Sequence, residues 1–456
     1  MKYFFVTAWF CPTHHSNLAY FFYLQGFSSY FEEKIILKNL QFDSFQVFFQ
    51  RSFIAVSGFV SALLLYRLLP FDLVGLWIVY ISVTGLMEIA KNSFIQVPLI
   101  YYFNTRSADK SRIVSNALLW NVLISSVLTL LSFIASALSF YFFQWDNLAL
   151  ILFFYGLISV LLIPFSHVEY VLHAKSDFKW LYSGAVVRSV SFTLFLLGSL
   201  FFSTVLSLYN LLLFQIVSLA LSLLFLILAG KMKVYCKGLL NKKGLSDFLH
   251  YGKFSLGNQV GSILYKNTDT WLLGKLVSLN AVATYNPAIK LANIIELPLM
   301  AVNAVYFPKS VQLSLESNKD SLSLLYGKFL KTVFLIQIPT IMLFYLFSEE
   351  LIVLIMGQSN QIAEAVLHVT LLYTFFIPFD RAFSMISSSL NKPQVYFYYL
   401  IILVITNVVL NILWIGHYGI IGAAYATLVT YGVGFLMNQT WLYTAGGIKP
   451  FQISEK

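Results

Sequence analysis

Charge is scarce in this chain: of 456 residues only 11% are Asp, Glu, Lys or Arg, against roughly 25% in soluble domains. That shortfall excludes a water-soluble globule. Cysteine is scarcer still. Cys11 and Cys236 lie far apart, both in segments that the charge pattern below assigns to the cytoplasm, so no structural disulfide is expected. No P-loop is present, which argues against a built-in ATPase. Cys11, His14 and His15 match no zinc spacing, and neither metal nor cofactor is expected. The longest polar stretch, Gly230 to His250, is only loop-sized, which leaves no room for a soluble catalytic domain.

Apolar side chains are abundant, at 59% hydrophobic and 18% aromatic, with a mean hydropathy of +0.78. At about 20 apolar residues per crossing, the composition accommodates a dozen helices. Runs bounded by charge, Pro or Gly predict twelve spans: 46–69, 73–97, 113–143, 148–173, 180–203, 206–229, 251–277, 280–307, 328–347, 360–390, 394–416 and 419–443. The third and tenth are long for one straight crossing, which predicts tilt, a kink or an extension, with Pro378 as the kink in the tenth. Small residues at Gly416, Gly419, Gly422, Ala423 and Ala424 predict close packing and a tight turn.

The net charge of +10 comes from 29 Lys and Arg against 19 Asp and Glu. Its distribution orients the chain. With both termini cytoplasmic, the cytoplasmic loops hold Arg106, Lys110, Arg112, Lys175, Lys179, Lys231 and the Lys237–Lys243 group, Lys309, Lys319 and Lys392. The opposite loops hold Asp72, Asp146, Glu349 and Glu350, with only Arg67 and Lys275 near span ends. The expected organisation is an N-lobe over 46–229, a basic linker over 230–250, a C-lobe over 251–443 and a tail over 444–456. Residues 1–45 fall outside the pattern: Tyr3 to Phe10 is short for a signal-peptide core and no cleavage site follows. An aromatic interfacial segment and a misassigned start are both open readings. Asp72-Leu-Val-Gly-Leu-Trp77 echoes Asn280-Ala-Val-Ala-Thr-Tyr285, and Pro98 and Pro308 are read as closing spans two and eight. This suggests a parallel repeat.

The charges inside the spans carry the functional signal. They are Arg51, Glu88, Lys91, Glu169, Arg188, Lys266, Asp269, Lys290, Glu296, Asp380 and Arg381. At roughly 2.5 to 3.5 kcal/mol each at a helix centre, they cannot together face lipid. Arg51, Glu169, Arg188, Asp380 and Arg381 are near enough to span ends to snorkel. Glu88 with Lys91, and Lys266 with Asp269, share helix faces at a spacing of three. Asn286, Lys290 and Asn293 line one side of span eight, Glu296 continues the strip, and Pro298 is the expected bend beyond it. Arg51, Lys91, Arg188, Lys266, Lys290, Asn286 and Asn293 are therefore candidates for binding an anionic substrate, since Arg and Lys suit a phosphate. Glu88, Asp269 and Glu296 are candidates for ion coupling or charge pairing.

Three segments together resemble the polysaccharide flippases of the multidrug, oligosaccharidyl-lipid and polysaccharide exporter superfamily. They are Asn407-Val-Val-Leu-Asn411 followed by His417-Tyr-Gly-Ile-Ile-Gly-Ala-Ala-Tyr-Ala-Thr427; Asp269-Thr-Trp-Leu-Leu-Gly274 with Val282-Ala-Thr-Tyr285, Lys290 and Phe307-Pro308; and Phe71-Asp-Leu-Val-Gly-Leu-Trp77. The resemblance covers about Gln46 to Tyr443. It implies an all-α polytopic membrane protein with about twelve transmembrane helices in two six-helix lobes around a central cavity. It further implies transport, not catalysis: an undecaprenyl-pyrophosphate-linked oligosaccharide (O-antigen, capsule or exopolysaccharide unit) would cross a bacterial inner membrane by alternating access. Asp269 and Lys290 match positions often charged in the family. The implied partners are the lipid-linked glycan, the bilayer and polysaccharide polymerase machinery, without nucleic acid. Competing readings are a drug or cation antiporter on the same fold and a polytopic glycan polymerase or ligase.

Overall fold

The computed structural model describes residues 46, 49–105, 110–142, 146–202, 206–232, 242–315, 319–390 and 392–448. Cys11, His14, His15, Cys236 and the segment 1–45 lie outside the described residues, as does most of the polar linker. Among the described residues all regular structure is helical. The helices are α1 (Phe49–Leu68), α2 (Phe71–Thr105), α3 (Lys110–Tyr141), α4 (Asp146–Ala174), α5 (Phe178–Leu181), α6 (Ser183–Phe201) and α7 (Leu208–Leu228) in the first half. The second half has α8 (Lys242–Leu276), α9 (Leu279–Leu315), α10 (Lys319–Leu346), α11 (Ser348–Met356), α12 (Gln361–Thr374), α13 (Ile377–Ser389) and α14 (Pro393–Trp441).

Ten stretches are long and apolar enough to cross a bilayer, with α5–α6 and α12–α13 each forming one stretch. Two further crossings come from α8 and from a division of α14. The former is 35 residues long but too polar overall to register by hydropathy. The 49 residues of α14 would span about 74 Å as one rod, and they fold back at Gly419, whose φ of 59° lies in the left-handed region. Tyr399 lies against Gly434, and Asn407 donates to Thr427 Oγ1 at 3.2 Å, so the two arms run antiparallel. The chain is a multi-pass membrane protein, with twelve crossings among the described residues.

Sequence and structure differ at three helix ends and in one loop, and the interruption expected in the tenth span is present. Pro98 and Pro308 do not end their helices: α2 continues to Thr105 and α9 to Leu315. A proline removes one backbone donor, a loss that a long packed helix can absorb. Pro298 likewise lies within continuous helix. In the tenth span the chain breaks between Thr374 and Ile377, and Pro378 occupies the first turn of α13, where its missing N–H is not needed. Residues 242–250, read as linker, extend α8. Finally, the loop after span nine contains α11, which ends on Gly357 in the left-handed conformation at φ 79°.

Polarity is reversed relative to a soluble bundle. On α3, Val127, Leu130, Leu131 and Ile134 are exposed, whereas Ser125, Ser132 and Ser136 are buried. Ser132 bonds the carbonyl of Leu152, and Ser136 that of Ala149 at 2.7 Å, so small hydroxyls tie α3 to α4. The ends of the bundle are distinguished here as the turn end, at the α1–α2 and α8–α9 turns, and the linker end opposite. A continuous core crosses between lobes at the turn end, joining Tyr66, Leu69, Val74 and Trp77 to Ala283, Tyr285 and Ala288, with Ile352, Ile355 and Met356 of α11. There α2 meets α9 with almost no space: a Cβ on Gly75 would lie 1.8 Å from the Leu279 carbonyl oxygen.

Gly75→Ala is therefore expected to cost about 1–3 kcal/mol through overpacking. Gly198→Ala, with nothing within 4 Å, should be neutral or stabilising. Thermal unfolding of the purified variants in detergent checks the contrast.

Candidate functional site

Between the lobes lies a cavity of about 670 Å³, a size suited to a bound small molecule. Its walls come from α1, α2, α6 and α7 on one side and α8 and α9 on the other. On α1 the lining runs from Tyr66 to Ile54, a depth of about 18 Å along the helix. The turn end is shut above it by the Gly75–Leu279 contact and by Tyr66, whose hydroxyl donates to the Ala283 carbonyl at 2.6 Å. Trp271 Nε1 donates to Ser82 Oγ at 2.8 Å, a third tie between the lobes.

Five of the seven sequence-nominated binding residues line this cavity: Arg188, Lys266, Lys290, Asn286 and Asn293. The strip on α9 arises from its spacing, because positions 286, 289, 290 and 293 repeat with the helical period. The described lining contains three cations and no carboxylate. Arg188 sits over the Phe165 ring, 5.5 Å from its centroid. Lys266 is paired with Glu296 at 3.1 Å and keeps 38% of its side chain exposed. Lys290 has no carboxylate within 4.0 Å among the described residues.

Arg51 and Lys91 are not brought to the cavity. Arg51, near the start of α1, donates to the Tyr182 hydroxyl at 2.6 Å and stacks over its ring. Lys91 lies about 200° around α2 from the cavity-lining Ile89 and faces α3. Its side chain has no exposure, pairs with Glu88 at 2.9 Å and reaches Ser125 at 3.4 Å. Nor do Lys266 and Asp269 form the pair that their spacing suggested. Asp269 points behind the cavity wall into the C-lobe, where Tyr285 (2.7 Å), Asn411 (2.8 Å) and Thr427 (2.5 Å) all donate to its carboxylate.

That second polar centre joins α8, α9 and both arms of α14. Asp269 is 5% exposed, and no cation lies within 4.0 Å of it among the described residues. Beside it, the Oδ1 atoms of Asn407 and Asn411 are buried without a hydrogen-bond donor. The carboxylate, the Tyr285 and Thr427 hydroxyls and the two asparagine amides form a polar cluster inside an apolar lobe. Its signal in the sequence is two asparagines four apart in an otherwise apolar helix, which served there only as a family signature. Gln215, Ser61, Ser82, Ser189, Ser262 and Asn267 also line the cavity. Single uncharged polar residues on long apolar spans give no periodic signal, so these went unnominated.

Residues 63–363 match a family described as polysaccharide biosynthesis protein. Among curated proteins, the chain is 25% identical over 217 residues to the probable low-salt glycan biosynthesis flippase Agl15 of Haloferax volcanii, covering 47% of this chain and 45% of that protein. It is 27% identical to the uncharacterized membrane protein MJ1068 of Methanocaldococcus jannaschii, covering 45% of this chain and 40% of that protein. The matched region thus spans less than half the length of these relatives. Among solved structures, the fold is shared with the inward-facing conformation of a multidrug resistance MATE family transporter (TM-score 0.71, 14% identity, 86% of this chain and 96% of that one). It is also shared with the lipid II flippase MurJ in its inward closed conformation (TM-score 0.69, 16% identity, 88% of this chain and 87% of that one).

The cavity's positive lining has a direct chemical readout. With Cys11 and Cys236 replaced by Ser, a thiol placed by Asn293→Cys should react faster with an anionic sulfonate thiol reagent than with its cationic ammonium counterpart. Lys290→Gln should narrow that preference, as measured by labelling rates in detergent.

Proposed function

The chain belongs to the polysaccharide biosynthesis protein family, and from that premise we propose that it is a flippase for a polyprenyl-pyrophosphate-linked oligosaccharide. The observation carrying this reading is a cavity between two lobes whose lining bears Arg188, Lys266 and Lys290 and no carboxylate. A pyrophosphate diester bears two negative charges. Three cations, one of them held by Glu296, leave two to meet it. Asn286, Asn293, Gln215 and Ser82 offer donors and acceptors to sugar hydroxyls, and the polyprenyl tail stays in lipid beside the lobes. The proposed carrier is undecaprenyl, and the cargo an O-antigen, capsule or exopolysaccharide unit. The proposed location is a bacterial inner membrane with both termini and the linker end cytoplasmic, feeding polymerase machinery on the other side.

Transport would proceed by alternating access. With the turn end shut by Gly75 against Leu279 and by Tyr66, the head group enters from the linker end. Rocking of the lobes then parts these contacts and exposes it opposite. We assign coupling to Asp269: a buried carboxylate with no cation within 4.0 Å among the described residues suits a proton or a monovalent cation. A drug antiporter for cations is disfavoured by the same lining, because a cationic cargo would meet three like charges.

The test is leaflet exchange of a labelled polyprenyl-pyrophosphate oligosaccharide in vesicles carrying the purified protein. Exchange is expected, and its absence with the matching glycan overturns the reading. Replacing Lys266 and Lys290 together by Ala should reduce the rate at least about tenfold; full activity would refute the cavity assignment. Asp269→Asn should leave binding intact but abolish the response of exchange to an imposed sodium or proton gradient. Persistence of that response would remove Asp269 from coupling.

A further inference from the structure

The two lobes carry one glutamate each at matching places. The alignment that sets Asp72 against Asn280 and Val74 against Val282 also sets Glu88 against Glu296. Glu88 and Glu296 lie equally far from the first residues of α2 and α9, roughly 26 Å along each helix. Each holds a lysine, Glu88 with Lys91 at 2.9 Å and Glu296 with Lys266 at 3.1 Å.

Their surroundings differ in one decisive respect. Lys91 has no exposed side-chain surface, although Glu88 keeps 20%, so no ligand reaches the N-lobe cation and the pair acts as a fixed internal brace. Lys266 lines the cavity and is 38% exposed, while Glu296 behind it is 9% exposed. The same oxygen of Glu296, Oε2, also faces Arg381 Nη2 of α13 at 3.5 Å. Arg381 has an unfilled donor of its own, since its Nε is buried without an acceptor. One carboxylate oxygen is thus shared by two cations from two other helices.

Sharing makes the pair divisible. Removing the only partner of a buried carboxylate strands an uncompensated charge in the interior. Glu296 avoids that penalty by keeping Arg381 when it gives up Lys266. We propose that Glu296 is an internal counter-anion that competes with the cargo for Lys266: the anionic head group takes the lysine, Glu296 stays with Arg381, and the recapture of Lys266 by Glu296 drives release. The exchange also removes one of the ties between α8 and α9, the helix pair whose turn forms part of the seal. Glu296 is a positioning residue in this scheme, acting on cargo through Lys266. The scheme rests on the flippase reading above.

Binding of farnesyl pyrophosphate to the full-length protein in nanodiscs tests it. Glu296→Gln keeps the shape and removes the charge. It should bind this probe about three- to tenfold more tightly, as expected for loss of a partly exposed competing ion pair, while turning over more slowly in the vesicle assay. Glu296→Asp should return affinity toward wild type. In a Lys266→Met background the gain from Glu296→Gln should vanish. Equal or weaker binding by Glu296→Gln overturns the proposal, as does a gain that persists without Lys266. A merely structural role would weaken binding and could not produce the gain. If the wild-type protein itself fails to bind, the flippase reading falls and this inference with it; wild-type binding without the Gln gain removes only the counter-anion.

Discussion

No water reaches the flanks of these helices, so each polar group must find its partner inside the protein. That constraint organises the structure from the serines upward. On α3 the hydroxyls turn inward to carbonyls of α4 while leucines and isoleucines face out, the reverse of a soluble helix. Larger polar groups follow the same rule, among them three collections: the Glu88–Lys91 brace with Ser125, the Asp269 cluster and the central cavity. The first two are enclosed within single lobes. The third lies between lobes, and there cations remain without full compensation.

A pseudo-repeated chain need not use its halves identically, and here the halves share geometry more than chemistry. The starts of α2 and α9 carry the echoing segments, and they pack against each other as the seal, with Gly75 on one side and Leu279 on the other. Only an α-hydrogen fits at that contact. A seal made of backbone contact, a shared apolar core and uncharged hydrogen bonds from Tyr66 and Trp271 holds the lobes with little commitment of side-chain charge. Such a joint suits elements that must part. The C-lobe interior is tied by side-chain hydrogen bonds: three groups converge on Asp269, and Tyr285, Asn411 and Thr427 fasten α9 and both arms of α14 to α8.

The number, order and approximate ends of the spans were legible in the sequence because lipid imposes a length and a hydropathy on every crossing. So was the Asn286–Lys290–Asn293 strip, since one helix face needs only the 3.6-residue period. The phase of a helix about its own axis was not legible, and that is why Lys91 turned out to face α3 and Asp269 the C-lobe interior. When all faces of a span are apolar, nothing in a single sequence says which face looks at a neighbour. Helix ends near Pro98 and Pro308 were misjudged because proline weakens a helix locally, whereas the packing that sustains it comes from distant segments. The nine-residue α11 was missed since its core contacts, Ile352, Ile355 and Met356, are too few to stand out among long apolar runs.

The cavity's charge balance explains why a protein of this fold would retain an acid so close to a basic site. Three unopposed cations around a pyrophosphate would bind it tightly, and a carrier that binds too tightly does not turn over. Lowering affinity by deleting a lysine would also remove attraction during entry. A carboxylate set behind the lysine does something different: it leaves the long-range field positive, because Arg188 and Lys290 are unaffected, yet supplies a competing partner at contact distance. Attraction at range and weakened grip at contact are separable because Coulomb interactions between exposed groups fade within about 8 Å in physiological salt, whereas contacts shielded from water persist. The placement of Glu296, 9% exposed and shared with Arg381, meets both requirements, whereas its repeat mate Glu88, locked to a fully enclosed lysine, meets neither.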